Sequence, residues 1–141
     1  MKQLKFVSAL LAALLFCGVS FAQTRLEGEF SVFSPITKYL EAGDAASLSS
    51  WFADNLDLTV ISSSRNCSRK QAREILTRFF QANTPRSFEV THRAAEANKK
   101  FMIGLLNAGG ERFQVTIYVT ASGTDTYRIQ QLNISRQAAA F

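Results

Sequence analysis

Residues 68–82 read SRKQAREILTRFFQA and carry the strongest helical signal in the chain. The apolar residues that recur at the spacing of one helical face are Ala72, Ile75, Leu76, Phe79 and Phe80. Ser68 and Gln71 match the two side chains of a capping box, and Pro85 prevents the helix from continuing far beyond residue 82. The segment therefore predicts an amphipathic helix whose apolar face packs against another apolar surface of the protein.

Downstream of this helix the period of apolar residues changes to two, which is the spacing of β-strands. The segments that alternate in this way are residues 88–92, 101–105, 113–119 and 127–134. The phase of the last one changes at Gln130 and Gln131, which predicts a β-bulge. Because the connections between these segments are short, the sequence predicts a four-stranded antiparallel meander.

Upstream of the helix the pattern predicts two short helices and one further strand. Residues 36–40 form a helical stripe that Gly43 can end, and Asp44 can cap a second helix. Residues 56–60 alternate as a strand, whereas residues 62–67 are predicted to form a polar turn or loop. Helices grouped ahead of hairpin-linked strands predict an α+β fold, with the helices packed on one face of an antiparallel sheet.

The first 22 residues are predicted to be a secretory signal peptide. Lys2 and Lys5 precede an apolar run over residues 6–16, and Ala22 ends the small-residue motif of a cleavage site. The run is shorter than the roughly 20 residues that a membrane-spanning helix needs. We therefore expect a single exported domain, residues 23–141, which is periplasmic or secreted and has no membrane span after cleavage.

The net charge and the counts of histidine and cysteine limit which ligands, metals and reactions the sequence can support. Removal of residues 1–22 lowers the formal net charge from +5 to +3, so bulk charge gives little support for a nucleic-acid partner and we expect none. The chain has one histidine, which excludes a multi-histidine metal site, and we expect no cofactor. Cys67 is the one cysteine left after cleavage, so dithiol chemistry within the domain is excluded.

Two strand residues are candidates for a binding site. His92 has the parity of Phe88 and Val90, which predicts that it lies on the apolar side of its strand, with either a structural or a pocket role. Tyr118 has the opposite parity to its apolar neighbours. Its face of the sheet is predicted either to bind a small ligand or a second copy of the chain, which would give a homodimer, or to be a solvated surface.

A second candidate is the basic cluster around Cys67, which consists of Arg65, Arg69, Lys70 and Arg73. These cations surround a predicted helix N-terminus, where backbone N–H groups attract anions. The cluster therefore predicts an anion site, with a solvated basic face as the alternative. The same surroundings favour a reactive thiolate at Cys67, and the alternative is an unreactive, partly buried thiol.

The order of two short helices, a strand, a long helix and a four-stranded meander resembles the nuclear transport factor 2-like superfamily, also described as cystatin-like. The segments that resemble a family of small exported bacterial proteins of unknown function are FSPI at 33–36, GD at 43–44, WFADNL at 51–56, FQV at 113–115 and YRIQQL at 127–132. The resemblance implies a bent, cone-shaped sheet wrapped on helices, with space for a pocket. It implies no characterised reaction.

The chain contains no recognisable nucleophile–base pair, phosphate loop or paired carboxylates at helical spacing. The sequence therefore favours a non-catalytic module that binds a small ligand or a protein partner. Two alternatives remain open: a small pocket enzyme of isomerase or dehydratase type, and a structural subunit of an envelope assembly. A buried carboxylate beside a tyrosine or histidine would favour the enzyme, whereas an interior filled with apolar side chains would favour the binding module.

Overall fold

Three helices and a six-stranded sheet make up the part of the chain that the computed structural model describes, residues 30–123 and 126–137. The helices are α1 (Phe33–Ala42), α2 (Ala45–Ser49) and α3 (Arg69–Ala82). The strands are β1 (Phe52–Val60), β2 (Ser63–Ser68), β3 (Pro85–Ala95), β4 (Lys99–Ala108), β5 (Glu111–Ala121) and β6 (Tyr127–Arg136). All of them belong to the second of two units, Val32–Phe141, the first being Met1–Ser31. The predicted signal peptide, residues 1–22, lies outside the described residues.

Local sequence signals set the ends of the helices. Gly43 ends α1 in the left-handed conformation, with a φ of 69°. The carboxylate of Asp44 accepts a hydrogen bond of 3.1 Å from the backbone N–H of Ser47 and so caps α2. At the start of α3, Ser68 and Gln71 form the reciprocal hydrogen bonds of a capping box, as predicted.

The strand order in the sheet is β2-β1-β6-β5-β4-β3. Strands β3 to β6 form the predicted antiparallel meander, and Gln130 is the extra residue of a bulge opposite Tyr118 and Val119. The sheet as a whole is mixed, because β1 runs parallel to β6. A short turn enforces an antiparallel pair, but β1 and β6 are joined only through the rest of the fold. The α+β fold is therefore confirmed, and its sheet is antiparallel except at this one pair.

The prediction of a turn or loop over residues 62–67 is wrong. Residues 63–68 form strand β2, which pairs antiparallel with β1 from Val60–Ser63 to Asn55–Ser68. The turn itself is confined to Ile61 and Ser62, and Ile61 adopts a φ of 61°. The strand is polar and lies at the edge of the sheet, so it shows no alternation of apolar residues that the sequence could reveal.

The core lies between the helices and one face of the sheet, here called the inner face. Its strand residues include Met102, Leu106, Phe113, Val115, Ile117 and Leu132, each of which is 0% exposed. The Phe79 ring of α3 packs edge-on against Phe113 of β5, with ring centroids 5.1 Å apart. The opposite face, called the outer face, is formed by the residues of the other parity, such as Ile103, Gln114 and Tyr118.

Candidate functional site

A pocket of about 350 Å³ opens on the outer face, at the end of the sheet where β3 turns into β4. We call it the outer pocket, and its lining residues are Ala94, Glu96, Lys99, Lys100, Phe101 and Tyr118. Ala94 is paired with Phe101, and Phe101 with Tyr118, so these three residues form a row across three strands. The volume falls in the range of sites that bind small organic molecules, roughly 300–1,000 Å³.

One wall of the outer pocket is a pair of stacked aromatic rings. The ring centroids of Phe101 and Tyr118 are 5.6 Å apart, and their planes are inclined by 29°. Tyr118 is 38% exposed, so part of the stacked pair remains open to solvent. Ala94 opposite Phe101 has the smallest side chain of the row, which leaves room beside the rings. Such a wall can hold a planar ring by offset stacking.

The remaining lining residues carry charge. Lys99 and Glu96 are both exposed, and the Glu96 backbone N–H donates a 2.8 Å hydrogen bond to the Lys99 carbonyl, which closes the turn. The ammonium group of Lys100 lies 4.5 Å from the ring centroid of Tyr127, in cation–π contact. Lys99 is therefore the exposed lysine that can meet an anionic group of a ligand at the rim.

His92 lies on the outer face, and the prediction that it shares the side of Val90 is wrong. Val90 pairs with Gly104, but His92 pairs with Ile103, so Thr91 is an extra residue in β3. This irregularity reverses the alternation of side chains beyond it. His92 is exposed, and its Nδ1 lies 3.2 Å from the Thr91 hydroxyl. It does not line the outer pocket.

The cations of the predicted basic cluster have different surroundings in the structure. The Nη2 atom of Arg69 forms an ion pair with Asp54 at 3.1 Å, and its Nε donates to the backbone carbonyl of Phe52 at 3.2 Å. These contacts tie the start of α3 to the start of β1. Arg69 therefore has a structural partner within the domain.

The other cations near the start of α3 lie in different surroundings. Lys70 is exposed. Arg73 lies near Asp44: hydrogen bonds from Ser47 lower the pKa of the Asp44 carboxyl, and the charge of Arg73 lowers it further. Lys70 and Arg73 are thus both exposed, and Arg73 has Asp44 as a charged neighbour.

Arg65 lines a second, smaller cavity of about 150 Å³ between α3 and the β1–β2 hairpin. We call it the arginine cleft, and its lining residues are Leu58, Val60, Ser63, Arg65, Ile75 and Arg78. Sequence reasoning missed Arg78, although it follows Ile75 by three residues and so neighbours it on the helix surface. The link between Arg78 and Arg65 required β2 to be recognised as a strand.

Cys67 is 3% exposed and lies opposite Leu56 in the β1–β2 pair. Burial raises the pKa of its thiol, and the positive charge of Arg65 opposes this effect without overcoming it. A raised pKa leaves less thiolate at neutral pH. The structure therefore favours the unreactive, buried thiol over the reactive one.

Apart from the arginine cleft, the space between the helices and the inner face is filled by apolar side chains. Among residues 30–123 and 126–137, Ser49 is the one buried polar residue, and its hydroxyl donates to the Ala46 carbonyl at 2.7 Å. The same residues include no group of three or more His, Cys, Asp or Glu side chains placed to hold a metal ion. No helix in the described part of the chain is long and apolar enough to cross a membrane.

Helices on one face of a six-stranded sheet that ends in a four-stranded meander form the nuclear transport factor 2-like, or cystatin-like, fold. A domain of unknown function with a cystatin-like fold from Nostoc punctiforme matches with a TM-score of 0.62 and 14% identity, over 80% of this chain and 78% of that chain. A protein of the nuclear transport factor 2-like family from Streptomyces avermitilis matches with a TM-score of 0.61 and 11% identity, over 83% of this chain and 99% of that chain.

The chain belongs to the family described as a domain of unknown function, DUF4783, whose model matches residues 33–135. A family protein from Bacteroides ovatus is similar to it, with a TM-score of 0.71 and 23% identity over 75% of this chain and 96% of that chain. No curated protein matches the sequence. The resemblance stated from the sequence is thus confirmed for the fold and the family, and these likenesses assign no activity.

Proposed function

We propose that this domain is an exported, non-catalytic binding module that holds a small, planar organic anion in the outer pocket. The observation that carries the proposal is the stacked pair of Phe101 and Tyr118, which is partly open to solvent and flanked by Lys99. A planar ring would stack on the exposed part of Tyr118, and its anionic group would meet the lysine ammonium at the rim.

The interior of the domain supports a binding module over an enzyme of isomerase or dehydratase type. Phe52 and Phe113 are among the largest side chains that fill the space between the helices and the inner face, and each is 0% exposed. An enzyme of that type would place an acid or base inside this space, where burial shifts its pKa toward the value that proton transfer requires. The outer pocket lies instead on the opposite face of the sheet and is open to solvent.

The binding claim is tested with 1-anilinonaphthalene-8-sulfonate, an anion whose planar naphthalene ring carries the sulfonate and whose fluorescence rises on binding. We expect saturable binding to residues 23–141, and Tyr118→Ala weakens it about fivefold, which corresponds to the roughly 1 kcal/mol of an aromatic pair. The matched control is Gln114→Ala, which removes an exposed side chain from the same face of β5 outside the pocket. Equal affinities for the native domain and Tyr118→Ala, with both folded by circular dichroism, would overturn the proposal.

Light scattering after size exclusion separates this role from that of a dimer interface. A monomer that binds the probe supports the proposal. A dimer that dissociates in Tyr118→Ala, but not in Gln114→Ala, assigns the outer face to a second copy of the chain and contradicts a small-molecule role. Either result is read on the samples used for the fluorescence titration.

Export is proposed from the N-terminal pattern of two lysines, an apolar run and a small-residue motif ending at Ala22. The mass of the protein recovered from the cell envelope and medium of its native host tests it. We expect a chain that begins at Gln23. A chain that still carries residues 1–22 in the cytoplasmic fraction would contradict export.

A further inference from the structure

The arginine cleft combines two features that point to a ligand of its own. It lies between α3 and the hairpin of β1 and β2, on the helix side of the sheet, whereas the outer pocket lies on the opposite face beside β3, β4 and β5. Arginines line it from two elements, Arg65 of β2 and Arg78 of α3. Aliphatic side chains from β1 and α3 complete its lining.

The two arginines have no acidic partner in the described part of the chain. The ion pairs there join Arg69 to Asp54 and Arg136 to Glu111. Arg65 makes one long hydrogen bond of 3.4 Å, from its Nη2 to the Ser63 hydroxyl. Two cations that line one small cavity make the local potential positive, which favours an anionic ligand that accepts hydrogen bonds from arginine N–H groups.

The apolar part of the lining determines what kind of anion fits. Among the aliphatic lining residues, Leu58 is 1% exposed, while Val60 and Ile75 are half-buried. Ile75 belongs to the apolar face of α3, yet no element of the described chain fully covers it. A bare inorganic anion would leave these aliphatic surfaces in water, whereas a ligand with a hydrocarbon tail would bury them.

We propose that the arginine cleft binds a short aliphatic monocarboxylate, with the carboxylate on Arg65 and Arg78 and the hydrocarbon tail against Leu58, Val60 and Ile75. Its volume of about 150 Å³ limits the size of the tail. An engineered apolar cavity of roughly this volume holds benzene, so about six carbon atoms can be accommodated. Planar carboxylates and guanidinium groups match as bidentate hydrogen-bonding partners.

The probe is hexanoate, titrated into ¹⁵N-labelled residues 23–141 and followed by two-dimensional NMR. We expect saturable shifts of the backbone amides of Ile75 and Arg78, while those of Phe101 and Tyr118 stay unchanged. Arg78→Gln and Arg65→Gln each weaken binding about tenfold, the size expected for loss of one charge-assisted hydrogen bond. The matched control is Lys70→Gln, which removes an exposed cation of α3 that does not line the cleft.

Two further ligands make the chemical class testable. Hexanamide has the same tail without the charge, and inorganic phosphate has the charge without the tail, so each should bind at least tenfold more weakly than hexanoate. Absence of shifts at Ile75 and Arg78, an equal loss of affinity in Lys70→Gln, or equal binding of hexanamide would overturn the proposal. Phosphate that binds as tightly as hexanoate would overturn the aliphatic class. None of these results depends on the outer pocket.

Discussion

The environment of Cys67 shows which of two opposing effects controls a thiol. Arg65 is close enough to stabilise a thiolate, but only 3% of Cys67 is exposed, and the cost of moving a charge into that environment is larger. The pKa is therefore raised. The basic residues near Cys67 in the sequence lower the pKa of its thiol only weakly, because charges exposed to solvent are screened.

We predict that Cys67 reacts slowly in the folded domain. At pH 7.5 iodoacetamide should alkylate it more slowly than it alkylates a small free thiol, because both the thiolate fraction and the access of the reagent are reduced. In concentrated urea the rate should rise to that of the small thiol, which controls for the reagent. A rate in the folded state above that of the small thiol would show an activated cysteine and contradict this account.

His92 and Tyr118 show how far single residues can be placed from sequence. Tyr118 lies on the predicted face because β5 alternates without interruption from Phe113 to Val119. His92 does not, because Thr91 adds a residue to β3 and turns the following side chains over. Nothing in the composition of this segment marks the irregularity, since exposed residues surround it on both sides.

At the scale of elements, α3 is positioned by signals at both ends and along one face. The Ser68 hydroxyl accepts the Gln71 backbone N–H at 3.2 Å, and the Gln71 side chain accepts the Ser68 N–H at 3.1 Å. Ser68 is both the last residue of β2 and the N-cap residue of α3, so the helix begins directly where the strand ends. The cap therefore stabilises the junction that brings Arg65 and Arg78 to one cleft.

We predict that Ser68→Ala lowers the free energy of unfolding by about 0.5–2 kcal/mol, the range for loss of an N-cap side chain. Urea unfolding followed by circular dichroism measures it. The control is Ser87→Ala, an exposed serine of β3, which should change the stability by less than about 0.5 kcal/mol. Equal effects of the two substitutions would contradict the capping role.

Elements with an apolar stripe could be predicted, and elements without one could not. The positions of α3 and β5 could be predicted from their apolar residues, because an element that buries one face repeats apolar residues with the period of that element. Strand β2 is held by backbone pairing with β1 and has no such period. In β4, apolar residues occupy both faces: Met102 and Leu106 are buried, whereas Phe101 and Ile103 are half-buried on the outer face.

At the scale of the whole molecule, the pairing of β1 with β6 joins the first and the last strand of the domain in sequence order. Local pattern cannot specify such a pair, since no short turn connects the strands. The same limit applies to both cavities: Tyr118 and Arg65 were candidates from sequence, but their neighbours Phe101 and Arg78 come from other elements. Each site is formed by residues from different elements, and the packing and strand register that bring them together cannot be derived from local sequence patterns.

The central claim is that the outer face of the sheet carries a binding site, the outer pocket, whereas the helices cover the inner face. Two-dimensional NMR of ¹⁵N-labelled residues 23–141, titrated with 1-anilinonaphthalene-8-sulfonate, tests it most directly. We predict that the largest saturable shifts occur at the backbone amides of Ala94, Phe101 and Tyr118, which line the outer pocket. Shifts centred instead on inner-face residues such as Ile117 and Leu132, or no saturable shift at all, would contradict the account.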